Sequence, residues 1–275
     1  MGNGILLCGL NGAGKSTIGR ALAQSLRYHF IDHEDLFFPD GVYAAPRSRE
    51  EACCLLMQRV APYRGEGRLS RVVPNGVDLS LVPERTENTP RAVISVGTLK
   101  PRKCMDRTLE AFSRVAGEYP DATLTIVGVG EMEAQLRARI GQLGLERRVT
   151  LTGGLPHGEV LMRMAKSDLF VLPSWGEGYG IVYIEAMAAG CIAVGAKGEG
   201  IEDTITDGEN GFLVPAGDIG ETRRVMRAVF EDRAAYAALR ERGRQDARAL
   251  TWERNAERTE AVYREMLGRQ SPFQS

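Results

Sequence analysis

An α/β fold, Rossmann-like with a doubly wound parallel sheet, is what three features of the sequence predict. Short apolar β-type runs such as "AVISVG" and "ATLTIVG" end in glycine. Segments with helical spacing separate them, so that strand and helix alternate along the chain. Glycine is abundant (32 residues), and many of these glycines sit just after apolar runs, where strand-to-helix turns approach a ligand closely. With right-handed crossovers, all strand carboxyl ends and their glycine turns fall on one edge of the sheet, and ligand is expected there.

The first sixty residues read as strand, loop, helix, strand and helix: "GILLC", "GLNGAGKST", "IGRALAQSL", "YHFID" and "SREEACCLLMQRV". Gly9 to Ser16 fit the phosphate-loop pattern G-x-x-x-x-G-K-[ST] in the strand-to-helix context that gives the pattern meaning. Gly9, Gly12 and Gly14 let backbone amides converge on an anion, and Lys15 to Thr17 open the helix whose positive end faces it. Lys15 is placed to reach terminal phosphates, and the Ser16 hydroxyl to ligate Mg²⁺ if the site is active, so that Mg-ATP is the cofactor this segment would take. The segment resembles the small P-loop kinases of the adenylate, shikimate and gluconate kinase type. Asp32, Glu34 and Asp35 stand where those enzymes put acids for acceptor and metal, although a solvated strand exit explains three acids equally well. The further strands, later carboxylate and basic lid that phosphoryl transfer requires do not follow. A truncated nucleotide-binding segment over 1–60 is expected, then a Pro/Gly/Arg-rich linker over 61–71.

From residue 72 the elements come in order. A Pro-Asn-Gly turn in "RVVPNGVDLS" leads to a strand at "AVISVG", a helix at "MDRTLEAFSRVAGEY" and a strand at "ATLTIVG". Next are a helix at "EMEAQLRARIGQLG", a strand at "RVTLTG", a helix at "HGEVLMRMAKS" and a strand at "LFVLPS". "GIVYIEAMAAG" reads as helix, "CIAVGA" and "GFLVP" as strands, and 219–250 as two amphipathic helices whose charges face solvent.

Two stretches on the ligand edge carry chemistry. In "SWGEGYGIVYIEAMAAG" the amides of Gly178, Tyr179 and Gly180 precede a helix, where a diphosphate can be held. Glu177 sits at that turn, and Glu185, one and a half turns into the helix, can accept hydrogen bonds from a ribose diol. In "GTLKPRKCMD", Arg102 and Lys103 can pair with phosphate oxygens. Trp175 is expected either to wall this pocket or to pack in the core. His157 reads as a surface or capping residue.

These residues resemble the C-terminal, donor-binding domain of the family 4 (group 1) retaining glycosyltransferases, one half of the GT-B fold. The markers are "VPNGVD", the basic site at Lys103, the Glu177-x7-Glu185 pair, "GEGIEDTITDGENGFLVPAGD" and the closing "TWERNAERTEAVYREML", and they span 72–275. The resemblance implies that Lys103 holds the donor diphosphate and that Glu177 contacts the sugar near the reacting centre, which makes these two the catalytic candidates. It implies that Gly178, Tyr179 and Gly180 bind through their backbone, that Glu185 holds the ribose, and that the turn Gly154–Leu155–Pro156 lies under the base. It further implies a UDP-, GDP- or ADP-sugar as donor and transfer to an acceptor with retention. The resemblance also implies that glycosyl transfer requires no cofactor, with basic side chains and a helix end stabilising the leaving diphosphate. Thr98 stands where family members commonly carry arginine, with Arg102 the candidate to compensate, and Cys104 stands where they carry glycine. The acceptor-binding half has no counterpart in 1–70, so a separate acceptor-domain subunit is an expected partner. Alternatives are a P-loop kinase or NTPase with an appended domain, or a non-catalytic sugar-nucleotide-binding fragment.

Composition narrows the remainder. Thirty-five basic and 36 acidic residues leave a net charge of −1, which gives no basis for non-specific nucleic-acid binding. Five cysteines, Cys8, Cys53, Cys54, Cys104 and Cys191, show neither a disulfide framework nor metal-ligand spacing. No apolar stretch reaches the roughly 20 residues that span a bilayer, so the sequence predicts a cytoplasmic protein.

Overall fold

The computed structural model describes residues 74–85, 91–258 and 261. The phosphate loop (Gly9, Gly12, Gly14, Lys15, Ser16 and Thr17), the acids Asp32, Glu34 and Asp35, and the linker 61–71 lie outside the described residues. Pro74 to Glu257 pack as one unit.

Six strands, β1 (Ala92–Val96), β2 (Thr123–Val127), β3 (Val149–Leu151), β4 (Leu169–Val171), β5 (Ile192–Ala196) and β6 (Phe212–Val214), form a single sheet in the order β3-β2-β1-β4-β5-β6. Every neighbouring pair is parallel. The inner strands β4 and β5 are buried at every position, as strands covered on both faces must be, whereas the edge strands β3 and β6 are only partly buried. Chain order runs outward to β3 on one side of β1 and outward to β6 on the other. The crossovers therefore leave in opposite directions from β1 and β4, and a crevice opens beyond their carboxyl ends.

Six helices cover the sheet: α1 (Met105–Ala116), α2 (Glu133–Gln142), α3 (His157–Ala165), α4 (Ile181–Ala188), α5 (Ile219–Glu231) and α6 (Ala237–Arg248). Met105, Leu109, Phe112 and Ala116 recur at three- and four-residue spacing on α1 and are buried, and that stripe fixes which face meets the sheet. Asp218 caps α5 by accepting a hydrogen bond from the Glu221 amide at 2.9 Å. On α4 the buried Tyr183 ring meets Phe170 of β4 edge-on at 5.1 Å. Among the described residues no helix is long and apolar enough to cross a membrane.

From β1 to α6 the strands and helices lie where the apolar runs place them, and the strands and helices expected in 1–60 lie outside the described residues. One boundary differs in an informative way. The helix predicted from Glu131 begins at Glu133, because the Met132 amide is committed to the Leu99 carbonyl (3.1 Å), which draws the β2 exit against the β1 exit. The segment after Pro74 is held by the chain beyond α6: the Val77 amide donates to Leu250 O (2.9 Å) and the Asn255 side chain to Pro74 O (2.7 Å).

At the amino edge of the sheet, remote from the crevice, Asp168 is 1% exposed. Its carboxylate accepts from the Ala92 amide at 3.1 Å and from Arg85 at 2.9 Å, with Arg233 and Arg240 at 3.4 and 3.6 Å. It thereby fastens β4 to β1 from below. Removing one partner of a buried ion pair strands the others, at a cost on the order of 3–5 kcal/mol. Asp168→Ala is expected to lose stability of that size in urea denaturation, and Asp168→Asn somewhat less because it keeps an acceptor for Ala92.

Candidate functional site

The crevice between the β1 and β4 exits is built from four loops. After β1 the chain forms a tight 3₁₀ turn, Pro101–Lys103, whose geometry follows from Pro101 fixing φ at the first position. The Lys103 amide closes the turn on Lys100 O at 2.9 Å. Cys104 follows with φ 52° and ψ 32°, the one non-glycine residue with positive φ among the described residues. This left-handed conformation explains in physical terms why glycine suits the position. It also turns the chain directly into α1, leaving Lys103 buried against the crevice rather than extended into solvent.

After β4 the chain runs Leu172 to Gly180 before α4 begins. Gly180 is its N-cap, with φ 73°. The Tyr183 hydroxyl hydrogen-bonds Leu172 O and lies 3.2 Å from Ser174 Oγ, so the floor of this loop is tied to the first turn of α4. Across the crevice the Trp175 amide donates to Arg102 O (2.9 Å), and Arg102 Nη1 donates to Gly176 O (3.2 Å). Lys103 Nζ and Glu177 Oε2 form an ion pair, with side chains only 10% and 15% exposed. Two predicted residues 74 positions apart thus meet in direct contact.

The third loop follows β5 and carries Glu199 and Gly200, to which the sequence alone assigns no role. Glu199 Oε2 accepts the Glu177 amide at 2.7 Å, and the Gly200 amide donates to Glu177 O at 3.0 Å, so Glu177 is clamped on both sides of its backbone. A Cβ on Gly200 would lie 1.8 Å from Gly178 O, so only glycine allows this approach. Among the described residues the Gly178 and Gly180 amides donate to no protein acceptor. Tyr179 instead reaches away, its hydroxyl donating to Asn75 O at 3.1 Å.

The fourth loop, Gly153 to Pro156, leaves β3 and enters α3 at His157. Gly154 is exposed and Leu155 partly buried. Glu185, on the second turn of α4, is reached from this loop: His157 Nε2 lies 2.8 Å from Glu185 Oε1. Burial raises the Glu185 carboxyl above its ordinary value, and the His157 hydrogen bond works against that rise. His157 therefore does more than sit at the surface. Its proximity to Glu185 depends on the tertiary pairing of α3 with α4 and leaves no local sequence signal. Trp175, which the sequence allows either to wall the pocket or to pack in the core, is 53% exposed on the rim and does not enter the core.

These contacts generate two expectations. Gly200→Ala should shift the Glu177 loop and weaken any ligand held there by at least tenfold in titration calorimetry, while thermal unfolding remains cooperative. At position 104, Gly relieves the left-handed strain whereas Ala keeps it, and both lose the thiol packing on Gly217. Cys104→Gly should therefore melt at or above the temperature of Cys104→Ala.

Residues 81–246 match the glycosyl transferases group 1 family. A shorter stretch, 11–39, matches shikimate kinase. Glycogen synthase of Mycobacterium tuberculosis is 30% identical over 199 residues, covering 70% of this chain and 47% of that protein. Phosphatidyl-myo-inositol mannosyltransferase of Mycobacterium leprae is 32% identical over 201 residues, covering 70% and 52%. The chain spans about half the length of the curated relatives it matches. Among solved structures, Anabaena Alr3699/HepE in complex with UDP and glucose superposes with a TM-score of 0.70 at 22% identity, over 92% of this chain and 76% of that one. At that identity the likeness shows the fold, a Rossmann-like half of the GT-B architecture. With three-fifths of its length matched by the family and the fold shared, the chain belongs to the glycosyl transferases group 1 family.

Proposed function

We propose that residues 72–275 bind a nucleotide-diphospho-sugar, a UDP-, GDP- or ADP-sugar, and present its anomeric carbon for transfer to an acceptor with retention of configuration. The observation that carries this reading is the convergence of Lys103 and Glu177 beside the Gly178 and Gly180 amides, which donate to no protein acceptor among the described residues, at the β1–β4 crevice. Lys103 Nζ supplies a cation, and the Gly178 and Gly180 amides at the head of α4 supply oriented donors, where a diphosphate carries its charge. As the glycosidic bond to the diphosphate breaks, negative charge grows on the leaving oxygen, and preorganised donors stabilise it without a divalent metal. Glu177, held through both its amide and its carbonyl, faces the sugar. Glu185 accepts from the ribose diol, and Gly154 and Leu155 border the base. The solved relative that binds UDP and glucose supports the donor class.

Lys103 is already paired with Glu177, so the diphosphate must take over or share that contact. Such an arrangement holds the lysine in its productive place before ligand arrives and keeps neither charge alone in a partly buried site. Arg102, one residue away, supplies the second cation in place of an arginine at Thr98.

The acceptor is proposed to be bound by a separate acceptor-domain subunit. Residues 1–60 are proposed to form a truncated phosphate-binding segment, joined by the linker 61–71. A second reading of that segment, as a Mg-ATP site of its own using Lys15 and Ser16, is favoured by the match of 11–39 to shikimate kinase.

Calorimetric titration with UDP, GDP and ADP and their sugars tests the reading. Saturable binding of at least one is expected. Losing a charge-assisted contact costs about 1.5–3 kcal/mol, or roughly ten- to 150-fold in affinity. Lys103→Ala and Glu185→Ala should each weaken binding in that range. Arg102→Ala should weaken it about tenfold, and unchanged affinity refutes its compensating role. Binding of Mg-ATP that is lost on Lys15→Ala, with no sugar-nucleotide binding, overturns the main reading. Affinity should also fall as pH drops through the raised Glu185 value, because protonation removes the negative charge and turns one carboxylate oxygen into a donor; Glu185→Gln should flatten that limb of the profile.

A further inference from the structure

His157 and Glu185 join two parts of the crevice that the peptide chain keeps 28 residues apart. His157 is the first residue of α3 and directly follows the Gly154–Leu155–Pro156 turn. Pro156 offers no side-chain cap to that helix; its carbonyl accepts from the Glu159 and Val160 amides at 2.9 and 3.2 Å, so the backbone hydrogen bonds there close the helix and do not reach α4. The imidazole is 52% exposed and the Glu185 side chain 17%, so His157 covers the solvent side of a carboxylate that α4 holds mostly out of water. Among the described residues it is the one hydrogen-bond donor to that carboxylate. An ionised carboxylate has about four acceptor positions, so one donor on Oε1 fixes the rotamer and still leaves room for a diol. Glu159 lies in the same first turn of α3, and Asp78 is also near His157; the Asp78 carboxyl is lowered first by hydrogen bonds from Ser80, with His157 the last of its causes, so its own partner is local.

We infer that His157 is a positioning residue that couples base recognition to ribose recognition, by tying the β3–α3 turn to the Glu185 carboxylate on α4. The inference rests on the proposed donor site. A ribose whose diol is fixed by Glu185 holds its base at a set height above the turn. The His157–Glu185 hydrogen bond makes turn and acid one unit, so the site discriminates between bases instead of holding any nucleotide by its diphosphate alone. A single hydrogen bond whose imidazole is half in solvent adds little to stability, which leaves geometry as its contribution.

The experiment compares wild type, His157→Ala, His157→Asn and His157→Gln by calorimetry with UDP, GDP, ADP and inorganic pyrophosphate at one pH, with thermal melts as a check of folding. Wild type should prefer one nucleotide. His157→Ala should bind that nucleotide about tenfold more weakly and compress its preference over the other two, with pyrophosphate affinity unchanged. His157→Asn, whose amide does not extend to the Nε2 position, should behave like Ala, and His157→Gln, whose amide does, should recover most of the preference. Unchanged nucleotide affinity and preference in His157→Ala overturns the inference while leaving the donor site standing. An equal loss for pyrophosphate overturns it as well, since the effect is then not coupled to base and ribose. Wild type that binds none of the nucleotides overturns both the inference and the donor site on which it rests.

Discussion

Lys103 and Glu177 meet across the gap that the sheet opens where β1 gives way to β4, and the rest of the site is arranged around that contact. The gap exists because the crossovers after the two central strands depart in opposite directions. Left open, it would leave two charged side chains partly buried and unpaired. Each is instead delivered by a constrained backbone: Lys103 by a proline-started turn that ends in left-handed Cys104, Glu177 by amide and carbonyl bonds to the Glu199–Gly200 loop. A crevice built this way presents a cation, an acid and open amides with little reorganisation left for a ligand to impose.

The sheet beneath is braced at its other end. Asp168, buried among Arg85, Arg233 and Arg240 and bonded to the Ala92 amide, locks β4 against β1 on the amino side. The same pair of strands is thus held by an ionic contact at each end, with a fully apolar stretch, Leu169 to Val171, between them. Rigidity comes from the sheet and its lower brace. Specific chemistry comes from the loops on the upper rim, which differ in length and in what they carry.

The parts legible in the sequence are those encoded over a few residues. Apolar runs mark the strands, helical spacing marks α1 to α6, and Glu177 and Lys103 stand out as charged residues in the turns on the ligand edge. What is not legible depends on partners distant in the chain. Glu199 is a solvent-type residue until it receives the Glu177 amide 22 residues away. His157 reads as a cap until α3 and α4 bring it to Glu185. Asp168 precedes a strand with no sign of the three arginines it gathers. The left-handed backbone at Cys104 is hidden in this chain because the residue there is neither glycine nor Asn or Asp, the types that mark such a position locally.

The account stands or falls on whether the β1–β4 crevice receives a diphosphate. A crystal structure of the chain with a bound nucleoside diphosphate measures this directly. The account predicts phosphate oxygens within about 2.7–3.2 Å of Lys103 Nζ and of the Gly178 or Gly180 amide, with the Lys103–Glu177 contact shared or released. A nucleotide seated elsewhere, with Lys103 still turned wholly onto Glu177, would contradict it.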